Sequence, residues 1–178
     1  MMQGKEKLVL AIEALLKKQN LDAITVSQII DTASVCRKTF YRNFTDKYAL
    51  ADYYFKRFFD DSFGRITSGQ DFDTALLRYL EICEEKSAIL RNAYASADVN
   101  GLRSYDIEST RHTYEKYLLE KGADIQSAEM RFAIEIAARG GTDMIIEWLR
   151  SGMREDKRQL LYLIKRTLPN DLLQYLDA

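Results

Sequence analysis

The sequence has very little proline, histidine or cysteine. Its 178 residues include one proline, Pro169, one histidine, His112, and two widely separated cysteines, Cys36 and Cys83. Because proline is the strongest helix breaker and no stretch alternates apolar and polar residues as a strand would, the composition predicts an all-α fold. Two isolated cysteines predict neither a disulfide framework nor a thiolate metal site, and they fit a reducing compartment.

The sequence also lacks the short motifs that carry catalysis or cofactor binding. It has no His-Glu-x-x-His metal motif, no phosphate-binding glycine loop, no paired-cysteine motif and no nucleophile elbow. Gly140 and Gly141 lie inside an apolar helical run rather than after a strand, so they do not form a dinucleotide-binding turn. We therefore expect a protein that is not an enzyme and that uses no metal or other cofactor.

No apolar run reaches the length of about 18 residues that a transmembrane helix needs. The first residues, MMQGKEKLVLAIEALLKK, superficially resemble a signal peptide. However, Glu13 interrupts the apolar run, no small-residue cleavage site follows, and the apolar residues have the spacing of an amphipathic helix. We therefore expect no membrane association and a cytoplasmic location.

The net charge of −1 conceals a difference between two parts of the chain. Residues 1–58 carry ten Lys and Arg against six Asp and Glu, a charge of +4, whereas residues 59–178 carry sixteen against twenty-one, a charge of −5. A basic head on an acidic body indicates that the head meets a polyanion.

The stretch Thr25–Lys47 reads TVSQIIDTASVCRKTFYRNFTDK and has the pattern of a helix-turn-helix. Thr25 and Gln28 have the spacing of a capping box, in which each side chain accepts a hydrogen bond from the other residue's backbone amide. Apolar residues then recur at helical spacing. Residues 34–36 interrupt that apolar face, and a second short helix is predicted over residues 37–44.

The second predicted helix carries side chains suited to DNA. In a helix-turn-helix this helix enters the major groove, where Arg and Lys contact guanine or phosphate, Asn pairs with adenine and Thr touches a thymine methyl. Tyr and Lys beside the groove can hold phosphates, and the amides near the start of the first helix form another anion site. A solvated polar face is the ordinary alternative. The candidate DNA-binding residues are Thr25, Arg37, Lys38, Thr39, Tyr41, Arg42, Asn43 and Lys47.

The segment TVSQIIDTASVCRKTFYRNFTDKYAL resembles the DNA-binding region of the TetR/AcrR family of bacterial transcriptional regulators. The resemblance covers about residues 5–55, and the run Thr-Phe-Tyr-x-x-Phe-x-x-Lys is its most specific part. A later segment, IIEWLRSGMREDKRQLLYLI, shows a fainter likeness to the subgroup of dihydroxyacetone kinase regulators. The shared positions of the first segment are Thr25, Val26, Ile29, Ala33, Val35, Thr39, Phe40, Tyr41, Phe44, Lys47 and Leu50.

The turn and the start of the second helix depart from the family pattern. Ser34 stands where the family usually has a glycine, which predicts either a strained residue with positive φ, at a cost of about 1 kcal/mol, or a different turn. Cys36 replaces a serine and is a poorer N-cap, and Lys38 replaces a glycine and adds charge where the helix meets DNA. These departures make the operator sequence unpredictable from relatives.

The resemblance implies an all-α chain with two domains. An N-terminal three-helix helix-turn-helix DNA-binding domain is expected over residues 1–48, and a helical ligand-binding and dimerisation domain over residues 49–178. From apolar spacing and caps, we expect further helices at about residues 72–85, 87–95, 102–120 and 155–168, and a long one that follows Ser127 and ends at Arg150.

The resemblance also implies a homodimer formed by the last two long helices. Independently, the penultimate helix has two apolar faces, one more than a monomer core requires, and small residues that would allow close helix approach. Trp148 is either an interface anchor or an ordinary core tryptophan. The expected interface residues are Ala137, Gly141, Ile145, Trp148, Leu161 and Ile164.

A pocket for a small-molecule effector inside the body is a further implication of the resemblance. Aromatic residues at helical spacing are more often plain core. Arg139, within an apolar helix, requires a partner if it is buried, and Glu135 or Asp143 at i−4 and i+4 could pair with it. The candidate pocket residues are Phe59, Phe63, Tyr79, Cys83, Tyr94, Tyr105, His112, Tyr114 and Arg139.

We therefore interpret the chain as a ligand-responsive regulator of the TetR type. It would act as a homodimer on a palindromic double-stranded DNA operator, with repression as the usual outcome and an effector that remains to be identified. The alternative is a helical co-regulator or adaptor that keeps the fold and acts through protein contacts. The unusual turn and the modest charge of the head motivate this alternative.

Overall fold

Residues 4–98 and 101–176, the part that the computed structural model describes, contain helices joined by turns and loops and no strand. This confirms the predicted fold class. A short 3₁₀ turn occupies Ile66–Ser68. The α-helices are α1 (Gly4–Leu16), α2 (Val26–Ala33), α3 (Arg37–Asn43), α4 (Lys47–Phe63), α5 (Phe72–Glu85), α6 (Ser87–Tyr94), α7 (Leu102–Glu120), α8 (Ala128–Arg150), α9 (Lys157–Arg166) and α10 (Asn170–Leu176).

The chain divides into two compact units. The first comprises the described residues of Met1–Phe58 together with Lys86–Tyr105, and the second comprises Phe59–Glu85 and the described residues of Asp106–Ala178. Residues 1–3 and 177–178, which belong to the two domains predicted from the sequence, lie outside the described residues.

In the first unit, α1 is the helix against which the helix-turn-helix is mounted. It packs on α2, α3 and α6. Leu8, Ile12 and Leu16 recur every fourth residue on α1, so they share one face, and all three are fully buried. Phe40 of α3 is also fully buried. Burial of such a side chain contributes roughly 1.5–3 kcal/mol, so this apolar face holds the three short helices together.

In the second unit, α5 packs on α9 and α8 packs on α10. Two ion pairs join α9 to α5: the Lys165 ammonium lies 2.9 Å from an Asp73 carboxylate oxygen, and the Lys157 ammonium lies 2.9 Å from Glu84. The Ser127 hydroxyl accepts a hydrogen bond from the backbone amide of residue 130 at 3.3 Å. The predicted cap of α8 is therefore confirmed.

The C-terminal end differs from the sequence prediction. One helix was predicted over residues 155–168, but α9 begins only after Asp156, whose carboxylate accepts hydrogen bonds from two backbone amides of the first turn. A further helix, α10, follows Pro169 and was not predicted. It has only seven residues, and its buried Leu172 and Leu176 are too few to give a periodic signal.

Candidate nucleic-acid interface

The first helix of the helix-turn-helix begins with the predicted capping box. The amide of Gln28 donates to the Thr25 hydroxyl oxygen at 3.2 Å, and the amide of Thr25 donates to the Gln28 side-chain oxygen at 2.8 Å. Two amides that α2 would otherwise leave without partners are thereby satisfied. Thr25 therefore fixes the start of α2.

The turn between α2 and α3 passes through a left-handed residue. Ser34 has φ 51° and ψ 51°, and its amide donates to the carbonyl of Asp31 at 3.1 Å. The next amide, that of Val35, donates to the Ile30 carbonyl at 3.1 Å and closes the end of α2. Of the two alternatives predicted for Ser34, the structure has the strained serine rather than a different turn.

The exposed face of α3 brings together four of the predicted DNA-binding residues. Positions 37, 38, 41 and 42 lie close together on a helix with 3.6 residues per turn, and all four are exposed while Phe40 is buried on the other side. The Arg37 guanidinium lies 5.9 Å from the Tyr41 ring centroid and 3.4 Å from the Ser27 hydroxyl. Three cations and a phenol therefore share one solvent-facing surface, made of Arg37, Lys38, Tyr41 and Arg42, which we call the α3 basic face.

Thr39 and Asn43 are only half exposed and already have partners within the chain. The Asn43 side-chain amide donates to the carbonyl of Thr39 at 2.7 Å, and the Thr39 hydroxyl lies 3.3 Å from the Cys36 sulfur. The Thr39 methyl faces α1: a Cβ built on Gly4 would come within 2.7 Å of it. Both hydrogen bonds therefore lie within α3 and its N-cap, and Thr39 also lies close to α1.

Cys36 precedes α3 without capping it. Its side chain makes no capping hydrogen bond, as the sequence predicted, and the thiol is exposed. The hydrogen bond with the Thr39 hydroxyl lowers the pKa of this thiol, and the nearby backbone amide of Thr39 adds to the effect.

Lys47 is placed differently from the α3 basic face. Its ammonium donates to three backbone carbonyls, those of Leu21, Asp22 and Ile24, each at 2.9 Å. The side chain is half-buried. These carbonyls belong to the loop between α1 and α2, so Lys47 holds that loop from the first residue of α4.

The loop that Lys47 holds is also bound by the segment after α6. The Asp22 carboxylate accepts a hydrogen bond from the Ser96 hydroxyl at 2.5 Å and another from the Ala97 amide at 3.0 Å, and these lower the pKa of Asp22. Burial, together with the neighbouring carboxylates of Asp98 and Asp22, raises the pKa of Tyr48 to about 12.

Four of the predicted pocket residues lie in one aromatic cluster of the second unit. Ring centroids are 4.9 Å apart for Phe59 and Tyr79, 6.0 Å for Phe63 and Tyr79, and 5.1 Å for Phe72 and Tyr114. The predicted residues in this cluster are Phe59, Phe63, Tyr79 and Tyr114, and Phe72, which was not predicted, lies 6.0 Å from Phe63 and connects them.

A buried carboxylate next to this cluster was missed by the sequence analysis. Asp106 is almost fully buried, and the Tyr79 hydroxyl donates to it at 3.4 Å. Cys83, a predicted pocket residue, is fully buried, and burial raises its pKa, as does the charge of Asp106. No periodicity distinguishes Asp106 from the surface acids of α7, so only the fold reveals it.

The other predicted pocket residues are not in the cluster. The His112 side chain is 63% exposed and lies 3.7 Å from Glu115, and Arg139 is 55% exposed and pairs with Glu135 at 2.5 Å. The partner expected for Arg139 is therefore present, but the burial considered for it is not. Tyr94 and Tyr105 belong to the first unit.

The helices α8 and α9 enclose an apolar groove of about 710 Å³. Four of the six predicted interface residues line it, namely Ala137, Gly141, Trp148 and Ile164, whereas Ile145 and Leu161 do not. Trp148 is only 3% exposed, and its indole N–H donates to the carbonyl of residue 155 at 2.8 Å. It is thus part of the core of the single chain as well as of the groove.

Several exposed apolar side chains of α8 and α9 were not among the predicted interface residues. Phe132, Ile136 and Met144 are exposed and stand at intervals of four or eight on α8, and Leu163 is exposed on α9. On a helix of 3.6 residues per turn, these three residues of α8 spread over about 120°, so their spacing in the sequence does not separate them from the core residues of the same helix. Ile136, Met144 and Leu163 line the groove, and we call these three residues together with Phe132 the α8–α9 stripe.

Residues 4–98 and 101–176 contain no helix long and apolar enough to cross a membrane. Nor does this part of the chain contain a cluster of three or more His, Cys, Asp or Glu side chains that could hold a metal ion.

Two family models match the sequence. Residues 8–54 match the model described as bacterial regulatory proteins, tetR family, and residues 70–170 match the model described as transcriptional regulator C-terminal region. The second match alone covers more than half of the chain. No curated protein matches the sequence.

Solved structures with the same fold cover nearly the whole chain. The dihydroxyacetone kinase operon activator DhaS has a TM-score of 0.64 and 17% identity, over 93% of this chain and 96% of its own. The fatty acid degradation regulator FadR from Bacillus halodurans has a TM-score of 0.63 and 16% identity, over 94% and 95%. A tetR-family regulator from Streptomyces coelicolor has a TM-score of 0.61 and 16% identity, over 91% and 79%. At these identities the likeness concerns the fold.

Proposed function

Since the chain belongs to the TetR family of bacterial regulatory proteins and is a transcriptional regulator, we propose that it binds a palindromic DNA operator as a homodimer under the control of a small-molecule effector. In this proposal residues 1–48 form the DNA-binding domain, and residues 49–178 form the ligand-binding and dimerisation domain.

The observation that carries the proposal is the α3 basic face. Arg37, Lys38 and Arg42 are exposed together on the second helix of the helix-turn-helix, which is the helix that enters the major groove in proteins of this architecture. Arginine can contact guanine through two hydrogen bonds, whereas lysine acts as a point charge for phosphate. We assign base and phosphate contacts to these cations and a phosphate contact to Tyr41.

Three other predicted DNA-binding residues, Thr25, Thr39 and Asn43, lie outside the α3 basic face and stabilise the helices that carry it. Thr25 orders the first amides of α2, which form an anion site for a backbone phosphate. Thr39 and Asn43 are half exposed and have hydrogen-bond partners within the chain, and each has further polar capacity that a DNA contact could use. We therefore propose that Thr25, Thr39 and Asn43 mainly orient α2 and α3 and make DNA contacts only in addition.

We assign the dimer interface to the α8–α9 stripe and the groove beside it. A row of exposed apolar side chains along a helix is costly in water and marks an interaction surface. In a symmetric dimer the same surface of each copy meets its mate. The dimer would set the separation of the two α3 helices, which must match major grooves about 34–36 Å apart or a multiple of that distance.

We place the effector site at the aromatic cluster with Cys83 in the second unit. Clefts lined by aromatic side chains and a few polar groups are the usual surroundings of small ligands. A ligand that binds one dimer conformation more tightly than the other shifts the population toward that conformation. The largest change in operator affinity that it can cause is set by the ratio of its affinities for the two conformations. We propose repression as the outcome without effector. A rise in transcription next to bound sites after deletion of the gene would support it, and a fall would reverse the sign.

The double variant Lys38→Ala, Arg42→Ala tests the assignment of the α3 basic face. Binding of a labelled DNA duplex to the wild type should weaken as salt rises, with a log–log slope of about −0.9 per neutralised phosphate. The double variant should lose most of this binding and retain the sedimentation coefficient of the wild type. An unchanged affinity would remove both residues from the interface.

A further inference from the structure

The three carbonyls around Lys47 use its whole hydrogen-bonding capacity. A lysine ammonium has three protons, and three acceptors lie at 2.9 Å, on Leu21, Asp22 and Ile24. A phosphate contact by the same ammonium would require at least one of these hydrogen bonds to break. The exposed cations of the α3 basic face are not held by three carbonyls in this way.

Two of the three carbonyls gain from this partner because they are part-buried. Leu21 and Ile24 have fully buried side chains, and the hydrogen bonds from Lys47 to their carbonyls are part-buried, whereas the one to the Asp22 carbonyl is exposed. The Leu21 carbonyl also accepts from the Ile24 amide at 3.2 Å. Part-buried carbonyls without partners are costly, so a further donor there is stabilising. Lys47 supplies it from 23 or more residues further along the chain.

Both ends of this connection are themselves fixed. The Asp46 carboxylate accepts a hydrogen bond from the Ala49 amide at 2.8 Å and caps the start of α4, where Lys47 is the first residue. At the other end, the loop leads directly into the capping box of α2. Lys47 thus connects the start of α4 to the start of the helix-turn-helix.

We propose that Lys47 is a positioning residue for DNA binding: its ammonium stays on the three carbonyls in the DNA complex and orients α2 and α3, rather than contacting a phosphate. The inference rests on the proposed DNA-binding function. It assigns to Lys47 a role opposite to that of the cations on the α3 basic face, although both are basic residues of the same short segment.

The salt dependence of DNA binding separates the two roles. Lys47→Gln should weaken binding by about tenfold or more, the equivalent of lost hydrogen bonds to a charged group, at every salt concentration. Its log–log slope should equal that of the wild type. The control Arg42→Gln, on the exposed face, should reduce the slope by about 0.9 for each phosphate that the protein no longer neutralises. A reduced slope for Lys47→Gln would overturn the proposal.

A charge-conserving variant tests the same point independently. Lys47→Arg keeps the positive charge but replaces a compact ammonium by a planar guanidinium, which cannot donate to three converging carbonyls in the same way. We expect a lower Tm and weaker DNA binding for Lys47→Arg, and little change in either for Lys116→Arg, at an exposed lysine of α7 in the second unit. Wild-type affinity and Tm in Lys47→Arg would contradict the proposal.

A third test uses the wild-type protein, so no substitution can disturb folding: it measures how fast an amine-acylating reagent modifies individual lysines. Lys47 should react with an amine-acylating reagent at least about tenfold more slowly than Lys38, because its ammonium is half-buried and hydrogen-bonded, and addition of the duplex should protect Lys38 alone. Equal reactivity of the two lysines without DNA would overturn the placement of Lys47. If the duplex protects neither lysine and does not bind, the proposed function fails while the placement of Lys47 is still decided.

Discussion

Ser34 holds a backbone conformation that serine rarely adopts. Its φ of 51° places it in the left-handed region, where a Cβ crowds the following carbonyl oxygen. The amides of residues 34 and 35 close α2 through this conformation, so the turn depends on it. The sequence, with serine where the family usually has glycine, identified the position but could not decide between strain and another turn.

Replacement of Ser34 by glycine should stabilise the protein. The substitution removes the left-handed penalty of about 1 kcal/mol, part of which is offset by the larger entropy of glycine in the unfolded chain. The Tm should rise by up to about 2–4 °C for a chain of this size. Ser34→Ala keeps a Cβ and serves as the control without this gain. A lower Tm for Ser34→Gly would show that the serine is not strained.

Asp52 should make stability depend on pH in the weakly acidic range. It is half-buried on α4, and burial, with a smaller contribution from the charge of Asp46, raises its pKa to about 6. The unfolded chain has a pKa of about 3.9 at this residue. The folded state therefore binds the proton more tightly, and stability is lost as pH rises from about 4 through about 6.

The variant Asp52→Asn tests whether the ionisation of Asp52 destabilises the folded protein. The amide mimics the protonated carboxyl, so the Tm of the variant relative to the wild type should increase between about pH 4.5 and pH 7.5, following the ionisation of Asp52 in the folded state. Thermal unfolding of both proteins across this range measures the difference. A difference that is the same at both ends of the range would contradict the raised pKa.

At the residue scale, the sequence predicted hydrogen-bond partners that are close in the chain but not distant ones. The capping box of Thr25 is a local arrangement of residues three apart, and it is present as predicted. Lys47 was assigned to the DNA surface because of its charge, yet its partners are carbonyls 23 to 26 residues earlier in the chain. Distant partners of this kind have no signature in local spacing.

The first turn of α1 lies directly against α3. A Cβ on Gly4 would approach the Thr39 methyl to 2.7 Å, closer than real Cβ contacts allow, so glycine at this position lets the two helices meet. Thr39 is stiff because it is β-branched, and its hydroxyl is engaged with Cys36. The absence of a side chain at one position thus sets the distance between two elements.

The variant Gly4→Ala should displace α3 and weaken DNA binding. Alanine favours a helix over glycine by up to about 1 kcal/mol, so without the steric contact the substitution would stabilise α1. We expect instead faster amide hydrogen exchange in residues 37–44 and lower affinity for a DNA duplex. Thr39→Ser removes the methyl, so Gly4→Ala in that background should be neutral or stabilising. An equal effect in both backgrounds would rule out the contact.

At the element scale, the helices were predicted well except at the C-terminal end, where α9 and α10 differ from the prediction. The predicted ranges 72–85 and 102–120 coincide with α5 and α7, and α8 follows its predicted cap. These helices are long enough to repeat an apolar pattern several times. Helix α10 presents only two buried leucines, and the shortened α9 depends on the cap at Asp156, so packing and capping decided their bounds.

The α8–α9 stripe makes a prediction about assembly. Met144 is 53% exposed in the single chain, so Met144→Glu leaves the core intact and places a charge on the proposed interface. Burial of an unpaired charge between two copies should raise the dimer dissociation constant by about tenfold or more, giving monomers in sedimentation velocity. Trp148 is less suitable because its substitution would disrupt the core.

Leu10→Glu is the matched control for Met144→Glu. Leu10 is an exposed leucine on α1, in the first unit, so an added carboxylate there should leave the sedimentation coefficient unchanged. Dimers in Met144→Glu at the same concentration would remove the stripe from the interface. Monomers in both variants would indicate a general effect of added charge.

At the scale of the whole molecule, the sequence predicted the family and fold class, whereas the surface that would join two copies stays a prediction. The predicted interface residues on α8 were chosen for apolar character, which selected Ile145 and Trp148 of the core. The exposed residues Phe132, Ile136 and Met144 have the same character. Only the packing of α8 against its neighbours distinguishes the two sets.

Capture of genomic DNA fragments by the purified protein, followed by sequencing, tests the proposed function most directly. We predict enrichment of a palindrome-like site at low salt, with half-sites spaced for two α3 helices one or more helical turns apart. The enrichment should be lost in the variant Lys38→Ala, Arg42→Ala. Recovery of no enriched site at low salt by the wild-type protein would contradict operator binding and would favour a helical regulator that acts through protein contacts.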